Sequence, residues 1–586
     1  MQLGPVAYVC SAVIAAAVTS NSIPQPAPPA RPNGLDGIAI VQATNPEPLR
    51  YYDSRRKARA LLEQNNFGAA EPLADEIAKA YPIDGQNWLM VARVKRKLGK
   101  FAEAAAAYRK ALGLLGPGVP GNAEYWQAAM LAADGKNADA LDILTTMVNE
   151  DHYLHRPSLF DEEEFKSLRD EHRFGDIAGR QDASQWKRND GWTHDVDYLV
   201  AEIVRVNPDF HDRPLPAAFE QRYKELRSRI PDLTDEQIYV GMSRMIAALN
   251  QGHTNLWPFI PAAKMAFKVL PLQFYTFPEG IFVVAAGAGN EDLVGAKLVK
   301  IESTPALEAL RKIRDIHASD SGMEILWLGP TFLTLAQELK GLGIAQNLDR
   351  IEVTLLRPSG AELTRTLVTI PFEKPAMKLH GAPGREPTLS FHNVDKAHLL
   401  EAMPEADALY VQVNQVADDP DESLQAFGLR LRQVLKDDKI RNLVVDLRNN
   451  NGGNTFFYVE FARTLIGFSA QENRTLYVIV GRGVYSAAAN LVADLERLAN
   501  PVLVGEPTSM TGNAYGDESE VVLPYSGIWA GVTGTKWQLG YPYDLRRAVI
   551  PHIPVAMTVS AYFAGRDPVL DAIKALCTRA GEKKPQ

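Results

Sequence analysis

From about residue 405 the chain alternates short apolar runs with amphipathic stretches, and this alternation limits the fold more than any other feature of the sequence. Ala408-Leu409-Tyr410-Val411-Gln412-Val413 reads as a strand and Asp421 to Leu435 as a helix. Asn442-Leu443-Val444-Val445-Asp446-Leu447 is a nearly continuous apolar strand. A run without polar alternation belongs to a sheet covered on both faces. A helix through Phe456 to Ile466, a strand Leu476 to Val480, a helix Ala487 to Leu498 and a strand Val502-Leu503-Val504-Gly505 continue the pattern. The expectation is an α/β layered domain over 400–580.

A chain of 586 residues exceeds one domain, and about 150 residues per domain suggests three or four. With 46% apolar and 23% charged residues it is not disordered, fibrous or a polytopic membrane protein. Lys and Arg number 62 against 71 Asp and Glu, a net charge of −9, so no overall basic field draws in nucleic acid. The two cysteines, Cys10 and Cys577, exclude a disulfide framework and a Cys-rich zinc site. Chemistry is left to Ser, His and carboxylates, with no metal or cofactor expected.

Upstream the pattern changes character several times. Gly4 to Thr19 carries no charge and has roughly the length of a signal-peptide core, short of the ~20 apolar residues a membrane span needs. Residues 1–22 therefore read as a signal for export to the periplasm or exterior, or, since the segment begins without Lys or Arg, as an unusual N-terminus of a cytoplasmic chain, followed by a Pro-rich linker at 23–48. Within 49–180, Phe67-Gly68-Ala69-Ala70 recurs as Phe101-Ala102-Glu103-Ala104 and more weakly as Asn137-Ala138-Asp139-Ala140. This spacing, with small residues where helices would touch, resembles tetratricopeptide repeats and implies either a groove for a protein partner or a helical cap. His152 and His155 lie three apart without a third ligand, which argues against a metal site. Residues 190–262 read as helical, with Asp232-Leu233-Thr234-Asp235-Glu236 as an N-cap signal for a helix from Ile238 to Leu249 and Gly252 as its left-handed C-cap. Residues 263–376 read as a small β-rich module around one helix near Ala306 to Ile316.

Two features of the C-terminal half bear on chemistry. Gly452-Gly453 follows a buried strand, where backbone N–H groups can face a ligand. Ser486 follows a strand and the loop Gly481-Arg482-Gly483-Val484-Tyr485, at the start of a helix. A serine placed so can attack a carbonyl while the neighbouring Ala487 N–H joins those of Gly452 and Gly453 in holding the oxyanion. The bland alternatives are a Gly-Gly turn and a serine N-cap.

The segment Val444-Val445-Asp446-Leu447-Arg448-Asn449-Asn450-Asn451-Gly452-Gly453 resembles the Asp-Leu-Arg-x-Asn-x-Gly-Gly signature of the tail-specific (C-terminal processing) serine peptidases. Tyr485-Ser486-Ala487-Ala488-Ala489 resembles that family's nucleophile segment, and Val504-Gly505-Glu506-Pro507-Thr508 its following strand end. Val549-Ile550-Pro551-His552-Ile553-Pro554-Val555 and Gly565-Arg566-Asp567-Pro568-Val569-Leu570 resemble its closing motifs, all in family order. The resemblance implies a crotonase-like α/β catalytic domain, makes the 263–376 module resemble a divergent PDZ-type insert, and implies a polypeptide substrate.

The family has two catalytic arrangements. Gly483 to Thr535 contains no lysine, so the Ser–Lys form is not expected. The tricorn-like form takes a histidine from a segment far upstream, which Leu249-Asn250-Gln251-Gly252-His253-Thr254 resembles, although the family's serine before the histidine is here Gly252. The resemblance thus implies Ser486 as nucleophile, His253 as general base and Asp544, in Tyr543-Asp544-Leu545-Arg546, as acidic partner. His552 is a second, lesser candidate base. Two rival readings are a non-catalytic peptide- or ligand-binding protein on the same fold and an esterase of small acyl groups.

Overall fold

The computed structural model describes residues 47–116, 122–149, 159–179, 183–211, 213–258, 264–372, 388–391, 394–403 and 408–582. The signal segment, the linker up to residue 46, Cys10, His152 and His155 lie outside these residues, and the last linker positions, Glu47 and Pro48, cap and open the first helix. The protein is multidomain and mixed helical and sheet, and it divides into two compact units, Met1–Asp134 and Gly135–Gln586. Among the described residues no helix is long and apolar enough to cross a membrane.

The first unit is helical, with helices Pro48–Glu63, Phe67–Ala80, Gly85–Lys97, Phe101–Leu115 and Ala123–Ala133, each packed on the next. Phe67 and Phe101, the residues that mark the sequence repeat, each open a helix. Ala70, Ala74, Ala92, Ala104, Ala111 and Ala128 are fully buried, and their small side chains let the helix backbones approach. Lys95 is buried among three carboxylates, at 2.7 Å from Glu71 and 2.9 Å from both Asp75 and Glu103, which offsets the desolvation of its ammonium.

In the second unit the alternation after residue 405 becomes a six-stranded sheet. Ala408–Val413, Asn442–Asp446, Thr475–Val480, Val502–Gly505 and Ile553–Pro554 run parallel in that order, and His398–Met403 adds an antiparallel edge. Leu443, Val445 and Leu447 pack on one face with Leu424, Phe427, Phe461 and Leu491 from three helices. Val444 faces the other way, onto Val569, Leu570 and Ile573 of the helix Pro568–Glu582. Each such fully buried Val or Leu contributes about 1.5–3 kcal/mol, which is why the middle of this strand, Leu443 to Val445, is apolar on both faces.

A second core joins helices Arg188–Val206, Ala217–Arg229 and Asp235–Ala247 to an antiparallel sheet. That sheet contains Leu272–Phe277, Gly280–Ala286, Lys297–Ile301, Arg350–Leu356 and Glu362–Val368 in this order. The helix Asp235–Ala247 starts with a capping box between Thr234 and Gln237, within the segment the sequence marks. Its end departs from expectation. Asn250, at φ +53°, takes the left-handed turn, and Gly252 does not. Asn adopts this region more readily than other side chains, and Gly252 is needed for space instead. A three-stranded sheet, Asn255–Trp257 beside Trp529–Lys536 beside Tyr515–Val522, was not legible in the sequence. Its middle strand carries Gly531 and Gly534, which weaken the β pattern.

Candidate active site

Ser486 sits on the turn between the strand Thr475–Val480 and the helix Ala487–Leu498, at φ +49° and ψ −128°. A non-glycine residue in this region costs on the order of 1–3 kcal/mol and persists only where its surroundings hold it. Ser486 is an N-cap by position alone, because its side chain makes no capping bond. Arg482 fixes the turn from below: its guanidinium pairs with Glu506 at 2.7 and 2.9 Å and donates to the carbonyls of Thr276, at 2.7 Å, and Leu326, at 3.1 Å. These bonds tie the turn to the β-rich module, and sequence reasoning passed over Arg482 because its partners are far away in the chain.

The Gly-Gly loop follows the strand Asn442–Asp446 and is built from its own side chains. Asp446, fully buried, accepts from Arg448 Nε at 3.0 Å and from Tyr410 at 2.8 Å, and Arg448 reaches on to Asp567 at 3.0 Å. Asn450 donates to the Val413 carbonyl at 3.0 Å and accepts the Gly452 N–H at 3.0 Å. Gly452 stands at φ +115° and Gly453 at φ +132°. A Cβ on Gly452 would lie 2.6 Å from Ser486 Cβ and 3.1 Å from Ala487 N, so the loop backbone lies directly against the serine turn. The expectation for the oxyanion donors is therefore amended: the Gly452 N–H is held by Asn450, while those of Gly453 and Ala487 make no bond within the described residues.

His253 is buried and follows the helix Asp235–Ala247. Its ring stacks on Tyr485 at 4.5 Å and 17°, and its Nδ1 has no hydrogen-bond partner. Burial pushes the imidazole down to about 4, with a bond to the Tyr515 backbone opposing. At neutral pH it is the neutral, proton-accepting form.

One cavity of about 640 Å³ brings these parts together, lined by His253, Ser486, Tyr485, Asn451 and Gly453. Apolar walls come from Leu256, Trp257, Ile325, Trp327, Leu328 and Phe332. Asp517 and Glu518, from the strand absent from the sequence reading, line it too. Burial pushes Glu518 up to about 7, against a bond of 3.2 Å from Trp257 Nε1. Asp517, at φ +48°, is also raised by burial.

Asp544 is not brought to this cavity. It lines another, with Glu496, Arg497 and Asn513, and its carboxylate is held by Arg546, 2.7 Å away, which keeps it below the usual carboxylate range. His552 accepts the Leu503 N–H at 3.0 Å through Nδ1, a bond that ties one strand's start to the loop before the next. Among the described residues no group of three or more His, Cys, Asp and Glu is placed to hold a metal ion.

No family model and no curated protein matches the chain. Among solved structures it is similar to mature CPAF complexed with lactacystin, at 12% identity over 67% of this chain and 99% of that one, with a TM-score of 0.49. It is similar also to the photosystem II D1 C-terminal processing protease, at 17% identity over 66% and 97% with a TM-score of 0.34. A third likeness is to the tricorn protease, at 13% identity over 67% and 37% with a TM-score of 0.29.

Proposed function

We propose that this chain is a serine hydrolase that cleaves peptide bonds through an acyl-enzyme, with Ser486 as nucleophile and His253 as general base. The observation that supports it best is the meeting, in one cavity, of a strained serine with no capping bond and a buried, unprotonated histidine. Ser486 Oγ attacks the scissile carbonyl as His253 takes its proton, and the carbonyl π pair moves onto oxygen. The N–H groups of Gly453 and Ala487 receive that oxyanion, each such donor being worth roughly 2.7–4 kcal/mol. Collapse breaks the C–N bond, the proton passes from His253 to the leaving amine, and water repeats the sequence to free the acyl group. Polypeptide rather than small-ester substrates are supported by the motif resemblance and by a cavity of about 640 Å³ with apolar walls.

Labelling with a fluorophosphonate probe tests this reading in wild type, Ser486→Ala and His253→Ala. Wild-type labelling that is lost in both variants is the expected result. Loss in Ser486→Ala alone removes His253 from its role, and no labelling of folded wild type overturns the hydrolase. Cleavage of casein against p-nitrophenyl esters separates peptidase from esterase.

A further inference from the structure

Resting on the serine-hydrolase reading, we propose that Asp320 is the positioning residue that holds the histidine-bearing loop and the serine-bearing turn in register. Asp320 lies on the loop between the helices Ala306–Arg314 and Glu324–Trp327, within the β-rich module and far in sequence from both. Its carboxylate accepts the O–H of Tyr485 at 3.2 Å and the backbone N–H of Gly252. Those two residues are the immediate chain neighbours of Ser486 and His253, and the Tyr485 ring also stacks on His253. One carboxylate thus clamps the residue before the base to the residue before the nucleophile.

The space around the clamp explains a residue that the helix end does not require. A Cβ on Gly252 would come within 2.3 Å of Tyr485 Oη and 2.5 Å of an Asp320 carboxylate oxygen. Gly252 is therefore a glycine because Asp320 and Tyr485 occupy the volume a side chain would fill. A second bridge runs parallel: Asn255 donates to the Gly252 carbonyl at 2.5 Å and accepts the Ala318 N–H at 3.2 Å.

Asp320 is itself held in place. Glu324, buried, accepts from the Asp320 N–H at 2.7 Å and from the hydroxyls of Ser319 at 2.6 Å and Ser321 at 3.1 Å, folding the loop around its own carboxylate. Ser321 also donates to the Thr508 carbonyl, at 3.4 Å. Burial, with the charge of Glu324 added, pushes Asp320 up to about 7, against the bonds from Gly252 and Tyr485 and the charge of Arg547. The carboxyl can accept from Tyr485 and Gly252 in either protonation state, so the clamp needs an acceptor there and not a charge.

The test compares wild type, Asp320→Ala and Asp320→Asn, each checked by thermal melting. Fluorophosphonate labelling rates are measured alongside the ring ¹³C–¹H spectrum of histidine-labelled protein. Asp320→Ala is expected to slow labelling about 10- to 100-fold and to shift the His253 signal away from its Tyr485 ring-current position, whereas Asp320→Asn, which keeps an acceptor oxygen, stays within about threefold of wild type. Wild-type labelling by Asp320→Ala refutes the proposal, as does slowed labelling with an unmoved His253 signal, or an Asp320→Asn variant as slow as Asp320→Ala. Should Asp320→Ala not fold, Tyr485→Phe replaces it, keeping the ring and removing the donor, and a wild-type rate there is equally fatal. If wild type does not label but the His253 signal still moves in Asp320→Ala, the hydrolase reading falls and the clamp stands.

Discussion

Lowering the pH distinguishes a buried base from a solvated one in this site. Desolvation holds the His253 imidazole at about 4, whereas an ordinary histidine titrates near ~6.5. At pH 5.5 the first is about 97% neutral and the second about 9%, a difference of about tenfold in the fraction able to accept the Ser486 proton. The expected profile of fluorophosphonate labelling is therefore flat from pH 6.5 down to 5.5, with an acid limb centred near 4. Any limb near 7 belongs to Glu518, pushed up to about 7, because the Asp320 clamp holds in either protonation state. It is expected to vanish in Glu518→Gln while the acid limb stays. Folding is linked to the same proton with a definite sign. The histidine's folded-state value is depressed, so the stability it contributes is complete above about 6.5 and lost as pH falls through about 4, roughly 3 kcal/mol in all. Circular dichroism at each pH keeps unfolding apart from loss of reactivity. A limb centred near 6.5 that persists in Glu518→Gln would show water reaching the ring, and would refute the desolvation argument.

Other perturbations follow from the same geometry. Glu518→Gln keeps an acceptor for Trp257 and abolishes a buried charge; because the Glu518 value is raised, its stabilising contribution is lost as pH rises from ~4.5 through about 7, so the variant should be more stable than wild type at pH 8, by about 1–3 kcal/mol, and equal to it at pH 4.5. Thermal melts at the two pH values check this, and an equal difference at both would contradict it. Gly452→Ala places a side chain at φ +115° against Ser486 Cβ, adding about 1–3 kcal/mol of strain; a lower urea midpoint and slowed labelling are expected together. Arg482→Met leaves Glu506 without its partner in a mostly buried site and should destabilise by about 3–5 kcal/mol in urea unfolding. Asp544→Asn breaks only the pair with Arg546 at a separate cavity, so its labelling rate should stay within about twofold of wild type, in the range of ordinary surface ion pairs. A loss as large as that of His253→Ala would return Asp544 to the catalytic set.

Local chemistry was legible wherever one segment supplied it. The buried strand Asn442–Asp446, the helix Ala487–Leu498 and the strand Val502–Gly505 stand where hydrophobic pattern places them, because burial on both faces leaves a continuous apolar run. Ser486 and the Gly-Gly loop were readable because strand, turn, glycine and helix are contiguous. The three-stranded sheet that supplies Asp517 and Glu518 was not, since it pairs Asn255–Trp257 with a hairpin more than 250 residues away, and no local pattern encodes that pairing. Asp544 was singled out by its place in the order of motifs, but in the fold its carboxylate is held by Arg546, two residues on, at a separate cavity.

By itself the sequence determined the layered α/β sheet, the helical unit before it, and the residue types available for chemistry. These follow from periodicity and turn preference, which act over a few residues. Only the tertiary structure decided which groups share a cavity and that Gly252 is small because Asp320 and Tyr485 need its space. Such facts depend on desolvation and on contacts between segments that the chain brings together only on folding. A histidine carries no mark in the sequence of whether water will reach it.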